Sequence, residues 1–223
     1  MRYALIVAGG SGSRMKTETP KQFLCLQGLP VLMHTIIRFY QFDPSLKIVV
    51  VLPENQLVFW KSLVKKHRFD VTVTVVPGGN TRYKSVQNGL NAMGENGFVA
   101  IHDGVRPMVD LDVIGRSFET AESKGNAVTA VKIKDSIRKI ERTGSLRVDR
   151  ELYVAIQTPQ TFNLEHIKAA YLKSEDDLMF TDDASVLEHA GHDINLIEGN
   201  YANIKITTPE DLIIAEAILG QNK

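Results

Sequence analysis

Apolar and polar positions in this chain switch between two periods. Runs of largely consecutive apolar residues at Tyr3 to Val7, Lys47 to Leu52, Val71 to Val76, Phe98 to His102 and Ala127 to Ile133 alternate with stretches of helical periodicity. Those stretches are Val31 to Phe42, with Leu32, Ile36 and Phe39 on one face, Asn55 to His67, with Leu57, Trp60 and Val64 in register, Thr81 to Met93, and Asp112 to Ser123. Continuous apolar strands separated by amphipathic helices predict a mostly parallel sheet covered by helices on both faces. Loops leaving the carboxyl ends of such strands share one rim, where sheets of this class bind ligands.

The alternation breaks at Asp135. From Ser136 to Asp149 polar and apolar residues alternate around Arg142-Thr143-Gly144-Ser145, the pattern of a hairpin with a glycine turn. With no helix to cover it, this hairpin reads as an arm that packs on a partner subunit, an ordinary surface hairpin being the other reading. Beyond it come a strand at Tyr153 to Gln157, a loop at Thr158 to Thr161, a helix capped by Asn163 and a helix entered through Thr181-Asp182-Asp183. Two short strands, Ile194 to Ile197 and Asn203 to Thr207, precede a last helix that Thr208-Pro209-Glu210-Asp211 opens as a capping box and that runs to Gly220.

A chain of 223 residues with 43% hydrophobic content fits a single domain with a proper core. Its 26 basic and 26 acidic residues cancel, so no global field recruits nucleic acid or an anionic membrane, and any anion site must be built locally. Cys25 is the only cysteine, which excludes an internal disulfide and predicts a small buried apolar residue. The opening run reaches glycines within ten residues and no apolar run approaches a membrane span, so the expectation is a cytoplasmic protein without a signal peptide. The six histidines show no ligand spacing.

Three rim loops carry the candidate chemistry. The first, Ala8 to Gln22, places Gly9, Gly10 and Gly12 after the first strand and then delivers Arg14 and Lys21. It lacks the third glycine of the dinucleotide fingerprint and the Gly-Lys-Ser/Thr of a Walker loop. The glycines alone admit either a turn whose N–H groups cradle phosphate or an ordinary turn, and the two cations favour phosphate. In the second loop Gly78 and Gly79 precede a helix, with Asn80 and Ser85 suited to a base or ribose edge, while Asn80 or Thr81 equally suits a helix cap. The third, His102-Asp103-Gly104-Val105-Arg106-Pro107, brings a carboxylate and a guanidinium to the rim together. There Asp103 suits a divalent metal, directly or through water, or pairs with Arg106. Asp110-Leu111-Asp112 mimics a glycosyltransferase metal motif but opens the next helix, where acids favour the dipole, and reads as capping.

Taken together these loops resemble the methylerythritol-phosphate cytidylyltransferases of the non-mevalonate isoprenoid pathway. The resemblance rests on Ala8 to Met15, Thr19-Pro20-Lys21-Gln22-Phe23, Pro77-Gly78-Gly79 with Arg82 and Ser85, His102-Asp103 with Arg106-Pro107, Thr158 to Phe162, and Asn203-Ile204-Lys205 with Pro209-Glu210-Asp211. It implies a Rossmann-like nucleotidyltransferase sheet with a β-hairpin dimerisation arm, a homodimer, and Mg2+ as cofactor. It further implies that Arg14 and Lys21 stabilise the transition state on the CTP phosphates, that Gly10 and Gly12 hold the triphosphate, and that Ala8, Gly9, Gly79, Asn80 and Ser85 surround the cytidine. Asp103, Arg106, Ser136, Thr158, Thr181 and Lys205 would line the polyol-phosphate pocket, with Arg150 reaching in from the partner's arm. The chain departs from the family pattern at Gly9, Asn80, Gly104-Val105 and Thr208, where the family commonly has alanine, aspartate, Ala-Ala and arginine.

The implied reaction, CTP plus methylerythritol phosphate giving a cytidine-diphosphate alcohol and pyrophosphate, suits these residue types. A phosphate monoester has a second pKa of about 6, so the nucleophile is ionised without a general base. What the site must supply is fixed positive charge, here Arg14, Lys21, Arg150 and Lys205. A ribitol-phosphate cytidylyltransferase is the nearest alternative, and a non-catalytic CTP-sensing module the alternative of another class.

Overall fold

The computed structural model describes residues 1–9, 15, 19–174 and 180–221. Seven strands form one sheet: β1 (Arg2–Val7), β4 (Lys47–Leu52), β5 (Thr74–Pro77), β6 (Phe98–Asp103), β7 (Asn126–Lys132), β10 (Val154–Asn163) and β11 (Leu196–Glu198), in the order β11-β7-β10-β6-β1-β4-β5. All run parallel except β10, which is antiparallel to both of its neighbours. Two short ladders stand apart, β2 (Cys25–Leu26) with β3 (Leu29–Pro30), and β8 (Arg138–Glu141) with β9 (Gly144–Arg147).

Alternation along the central strands sorts the core into two layers, because successive strand residues face opposite sides of a sheet. Leu5, Val7, Val49, Val51, Val99 and Ile101 pack with Val86 and Leu90 of α3 (Arg82–Asn91), Ile167 and Tyr171 of α5 (Leu164–Lys173), and Val186 and Leu187 of α6 (Asp183–His189). Ala4, Ile6, Ile48, Val50, Leu52 and Ala100 pack on the other side with α1 (Val31–Phe42), α2 (Leu57–Lys66) and α4 (Leu111–Lys124), which contribute Phe39, Trp60 and Phe118. The expected doubly covered, mostly parallel sheet is the architecture observed. A smaller cluster of Leu26, Val31, Val105, Met108 and Ile206 seats Ala215 of α7 (Pro209–Gln221) beside the rim.

Local chemistry fixes the helix ends. Asn163 Oδ1 accepts from the Glu165 and His166 N–H groups, as its position predicts, and Gly125 closes α4 at φ +90°. Asp110 occupies the N-cap position of α4 but does not cap it, since its carboxylate accepts from Asn200 Nδ2, and Asp112 pairs with Arg116. At α7, Asp211 reaches back to the Thr208 N–H at 2.8 Å, the third-residue half of the expected capping box.

Three expectations need correction. The loop expected at Thr158 to Thr161 is the middle of β10, which kinks at a cis Thr158–Pro159 bond between Ile156 and Gln160 and continues along β6 and β7. No strand forms at Asn203 to Thr207; that segment makes one backbone bond to the loop after β6, from the Ile206 N–H to the Val105 carbonyl at 2.9 Å. Cys25 is exposed, because in two-residue β2 its neighbour Leu26 takes the inward side. The predicted hairpin is present, Arg138 pairing with Arg147 and Glu141 with Gly144.

Candidate active site

Val7, Ala8 and Gly9 continue β1 to the rim, where the Ala8 N–H donates to the Val51 carbonyl at 2.9 Å. A Cβ at Gly9 would lie 3.1 Å from Ser85 Oγ, so the first and second rim loops approach closely here. Ser85 is buried, and its hydroxyl ties its own loop: Oγ accepts from the Gly79 N–H at 3.1 Å and donates to the Thr81 carbonyl at 2.8 Å. A side chain at Gly79 would collide with Lys84. Thr81, not Asn80, caps α3, accepting from the Lys84 N–H at 3.0 Å.

Lys21 begins a single 3-10 turn, Lys21–Phe23, behind Pro20. Gln22, one residue on and 1% exposed, donates through Nε2 to the Ala8 carbonyl at 3.0 Å and to Gln56 Oε1 at 2.7 Å. Phe23 packs edge-on against Phe59 at 5.2 Å. The turn that carries Lys21 is thereby anchored to the end of β1. Together these loops bound a cleft of about 300 Å³ whose lining includes Ala8, Gly9, Lys21, Gly79, Asn80 and Ser85. Gly10, Gly12 and Arg14 lie outside the described residues.

A second cleft, about 260 Å³, adjoins the first and is lined by Arg106, Thr158, Gln160 and Thr181 among others. Asp103, Arg82 and Lys205 line both. Asp103 Oδ2 lies 3.1 Å from Arg106 Nε and 3.1 Å from Lys205 Nζ, so the pairing of Asp103 with Arg106 occurs and a lysine joins it. The Asp103 N–H donates to Thr158 Oγ1 at 3.1 Å. Arg106 Nη1 donates to the Asn203 carbonyl at 2.8 Å, and Asn203 Nδ2 donates to the Thr158 carbonyl at 2.8 Å, so β6, β10 and the segment leading to Lys205 share one network. Burial alone would push the Asp103 carboxyl up; the Lys205, Arg82 and Arg106 cations outweigh it and hold the group ionised, well below the ordinary carboxylate range.

Five expected substrate-side residues, Asp103, Arg106, Thr158, Thr181 and Lys205, meet in the second cleft. Ser136 and Arg150 do not. They line a separate hollow at the base of the arm with Arg138 and Arg147, and Arg150 Nη1 donates to the Lys134 carbonyl at 2.6 Å. The cause is geometric, since the hairpin carries these residues away from the rim of its own sheet. Arg82 received no role from the sequence, yet it borders both clefts and is held at 2.8 and 2.6 Å by both carboxylate oxygens of Asp183. Gln160, also without an assigned role, donates to Asp182 Oδ2 and accepts from the Ala184 N–H, both at 2.9 Å, and so secures the entry to α6.

A family model for 2-C-methyl-D-erythritol 4-phosphate cytidylyltransferase matches residues 3–221. The chain belongs to this family. A relative of that name from Porphyromonas gingivalis is 48% identical over 219 residues, covering 98% of this chain and 97% of its own. Another from Bacteroides fragilis is 46% identical over 218 residues, covering 98% and 99%. Among solved structures, the 4-diphosphocytidyl-2C-methyl-D-erythritol synthase of Anaerococcus prevotii superposes with a TM-score of 0.83 at 30% identity, covering 98% of this chain and 96% of that one. The cytidylyltransferase of Thermus thermophilus gives 0.81 at 27% identity, with 99% and 100% covered. The sequence resemblance is thus borne out over nearly the whole chain. Membership gives meaning to the paired clefts: a family that joins a nucleotide to a polyol phosphate needs two pockets meeting at one point. Among the described residues no helix is long and apolar enough to cross a membrane.

Proposed function

We propose that this chain transfers CMP from CTP to 2-C-methyl-D-erythritol 4-phosphate. The observation that carries the reading is the seam between the two clefts, where Asp103, Arg82 and Lys205 face both. The nucleotide occupies the cleft of Ala8, Gly9, Gly79, Asn80 and Ser85, and the polyol phosphate that of Arg106, Thr158 and Thr181. A phosphate oxygen of the polyol attacks the α-phosphorus of CTP; the bond to the β-phosphate oxygen breaks, and pyrophosphate leaves with the electron pair. At neutral pH the attacking monoester is mostly a dianion, its second pKa being about 6, so the residues need not remove a proton. Their work is to align two anions and to neutralise charge that spreads over the α-phosphate, which Lys21, Arg14 and Lys205 do as fixed cations.

Among the described residues no three His, Cys, Asp or Glu side chains cluster into a metal cage, and Asp103, the carboxylate shared by the two clefts, already faces two cations. That donor set fits Mg2+ carried by the triphosphate and touched by Asp103 through water, since Mg2+ keeps several waters and prefers phosphate oxygens. When bound, the ion neutralises phosphate charge. The arm and the turn that follows it support a homodimer: Ile140 and Leu146 of the arm are exposed, Ile140 at 79%, as are Leu152, at 80%, and Tyr153 just after it. In that dimer Arg150, which lines neither of its own clefts, reaches the partner's substrate, and the enzyme works in the cytosol.

The test is pyrophosphate release from CTP and Mg2+ in the presence of methylerythritol phosphate, ribitol phosphate or neither. Release with the first alone is expected. Equal or greater release with ribitol phosphate overturns the substrate, and CTP binding without release under any condition overturns the activity.

A further inference from the structure

Arg82 and Asp183 are the first residues of two different helices, α3 and α6, and their side chains meet in a two-point contact. Arg82 follows the loop that bounds the nucleotide cleft. Asp183 follows Thr181 and Asp182, which line the substrate cleft. The Asp183 side chain is fully buried and lines neither cleft, while a third of the Arg82 side chain remains exposed on both. Tyr171 donates its hydroxyl to Asp183 Oδ1 at 2.7 Å, so both carboxylate oxygens are engaged. Burial and the Asp183 charge push the Tyr171 phenol up, which keeps it a donor.

Such a fork leaves Arg82 little freedom. With its end-on edge committed to Asp183 the guanidinium is fixed in orientation, and swinging it onto Asp103 in place of Lys205 would break both bonds. The two ends of the contact differ in what else holds them. On the nucleotide side Ser85 and the Thr81 cap fix the loop without help from Asp183. On the substrate side Gln160 secures Asp182, and the fork is the polar tie of the Thr181 turn to α3, beside the stacking of Tyr83 on Phe180 at 6.0 Å.

Resting on the cytidylyltransferase reading, we propose that Asp183 is a positioning residue for the polyol phosphate. Through Arg82 it sets the spacing between the Thr181 turn and the Asp103–Lys205 pair, while contributing little to CTP binding. An asparagine at this position presents an N–H group to one of the guanidinium N–H groups, so half of the fork is lost at nearly constant volume.

The experiment compares wild type with Asp183→Asn, Asp183→Glu and Tyr171→Phe, using steady-state pyrophosphate release and calorimetric titration of CTP. Asp183→Asn is expected to raise KM for methylerythritol phosphate about tenfold or more while leaving the Kd for CTP within about threefold, because the lost interaction acts on one substrate only. Asp183→Glu, which keeps the charge, recovers part of that loss. A general loss of structure would reduce the active fraction without separating the two constants. If Asp183→Asn does not fold, Tyr171→Phe carries the test through the same carboxylate, with a smaller rise in the same KM. An unchanged KM for the polyol phosphate in the folded variant, or an equal shift in CTP affinity, overturns the proposal. A wild-type chain that releases no pyrophosphate overturns the underlying reading instead.

Discussion

Lys205 Nζ and Asp103 Oδ2 stand 3.1 Å apart, joining the segment that precedes α7 to the last residue of β6. Because Arg106 shares the same oxygen, the carboxylate orients two cations at the seam of the clefts. Replacing it by a neutral amide leaves both cations without their common partner. Asp103→Asn is expected to lower kcat by about 10²-fold, the scale on which loss of preorganised charge is felt. Lys205→Met should give a loss of the same order. Pyrophosphate release under saturating CTP measures both, and near-normal turnover of either folded variant contradicts the role.

Lys21 lines the nucleotide cleft from a turn that Gln22 and Phe23 hold in place. Truncating the lysine leaves those anchors intact. Lys21→Ala should therefore retain wild-type circular dichroism and melting while its kcat falls about 10²-fold or more.

Arg150 lies with Ser136 at the base of the arm and lines neither cleft. If it acts across a dimer interface, mixing Lys21→Ala and Arg150→Ala homodimers under conditions of subunit exchange restores one intact site per heterodimer. Recovered activity in the mixture is expected. Its absence, once exchange is verified by mass, assigns Arg150 to no shared site.

Two histidines bear on stability in mild acid. Burial lowers the affinity of His34 for a proton, and it pushes His102 down to about 4. The unfolded chain takes up these protons near pH 6.5, the folded one only lower, so between those values the unfolded state binds more and stability rises with pH. Stability is complete above about 6.5 and is lost as pH falls, each group adding up to about 1.4 kcal/mol per pH unit. Denaturant midpoints between pH 7 and 5, values chosen to bracket the ordinary histidine range of about 6.5, should show this slope. His34→Gln, which can still donate to the Leu26 carbonyl that His34 Nε2 meets at 2.7 Å, should flatten it.

The first half of the fold is legible because its strands are apolar on both faces and its helices are not. Residues of β10 read as a loop for the opposite reason. Thr158, Gln160 and Thr161 are polar, yet each is buried and bonded, Thr161 Oγ1 to Ser117 Oγ at 2.9 Å for example. Such bonds arise between distant segments, which a local pattern does not record. The same holds at the site. Lys21, Asp103 and Arg106 were legible because glycines and charged residues at strand ends mark a rim. Arg82 and Asp183 were not, since their meaning lies in meeting each other, and an aspartate at a helix start is already accounted for by the helix dipole. Asn203 to Thr207 misled in the other direction, its apolar alternation reflecting the seat of α7 rather than a ladder.

The reversal of β10 has a consequence for how this protein can diverge. Val154 pairs with Lys132, so the chain leaves β7 and re-enters β10 at adjacent points on the rim, and the whole arm is an excursion between them. An excursion whose ends lie side by side can lengthen, shorten or change its surface without shifting the register of a single core strand. The surface that the arm presents can therefore drift among descendants of this chain while the sheet that aims Asp103 and Thr158 stays as it is.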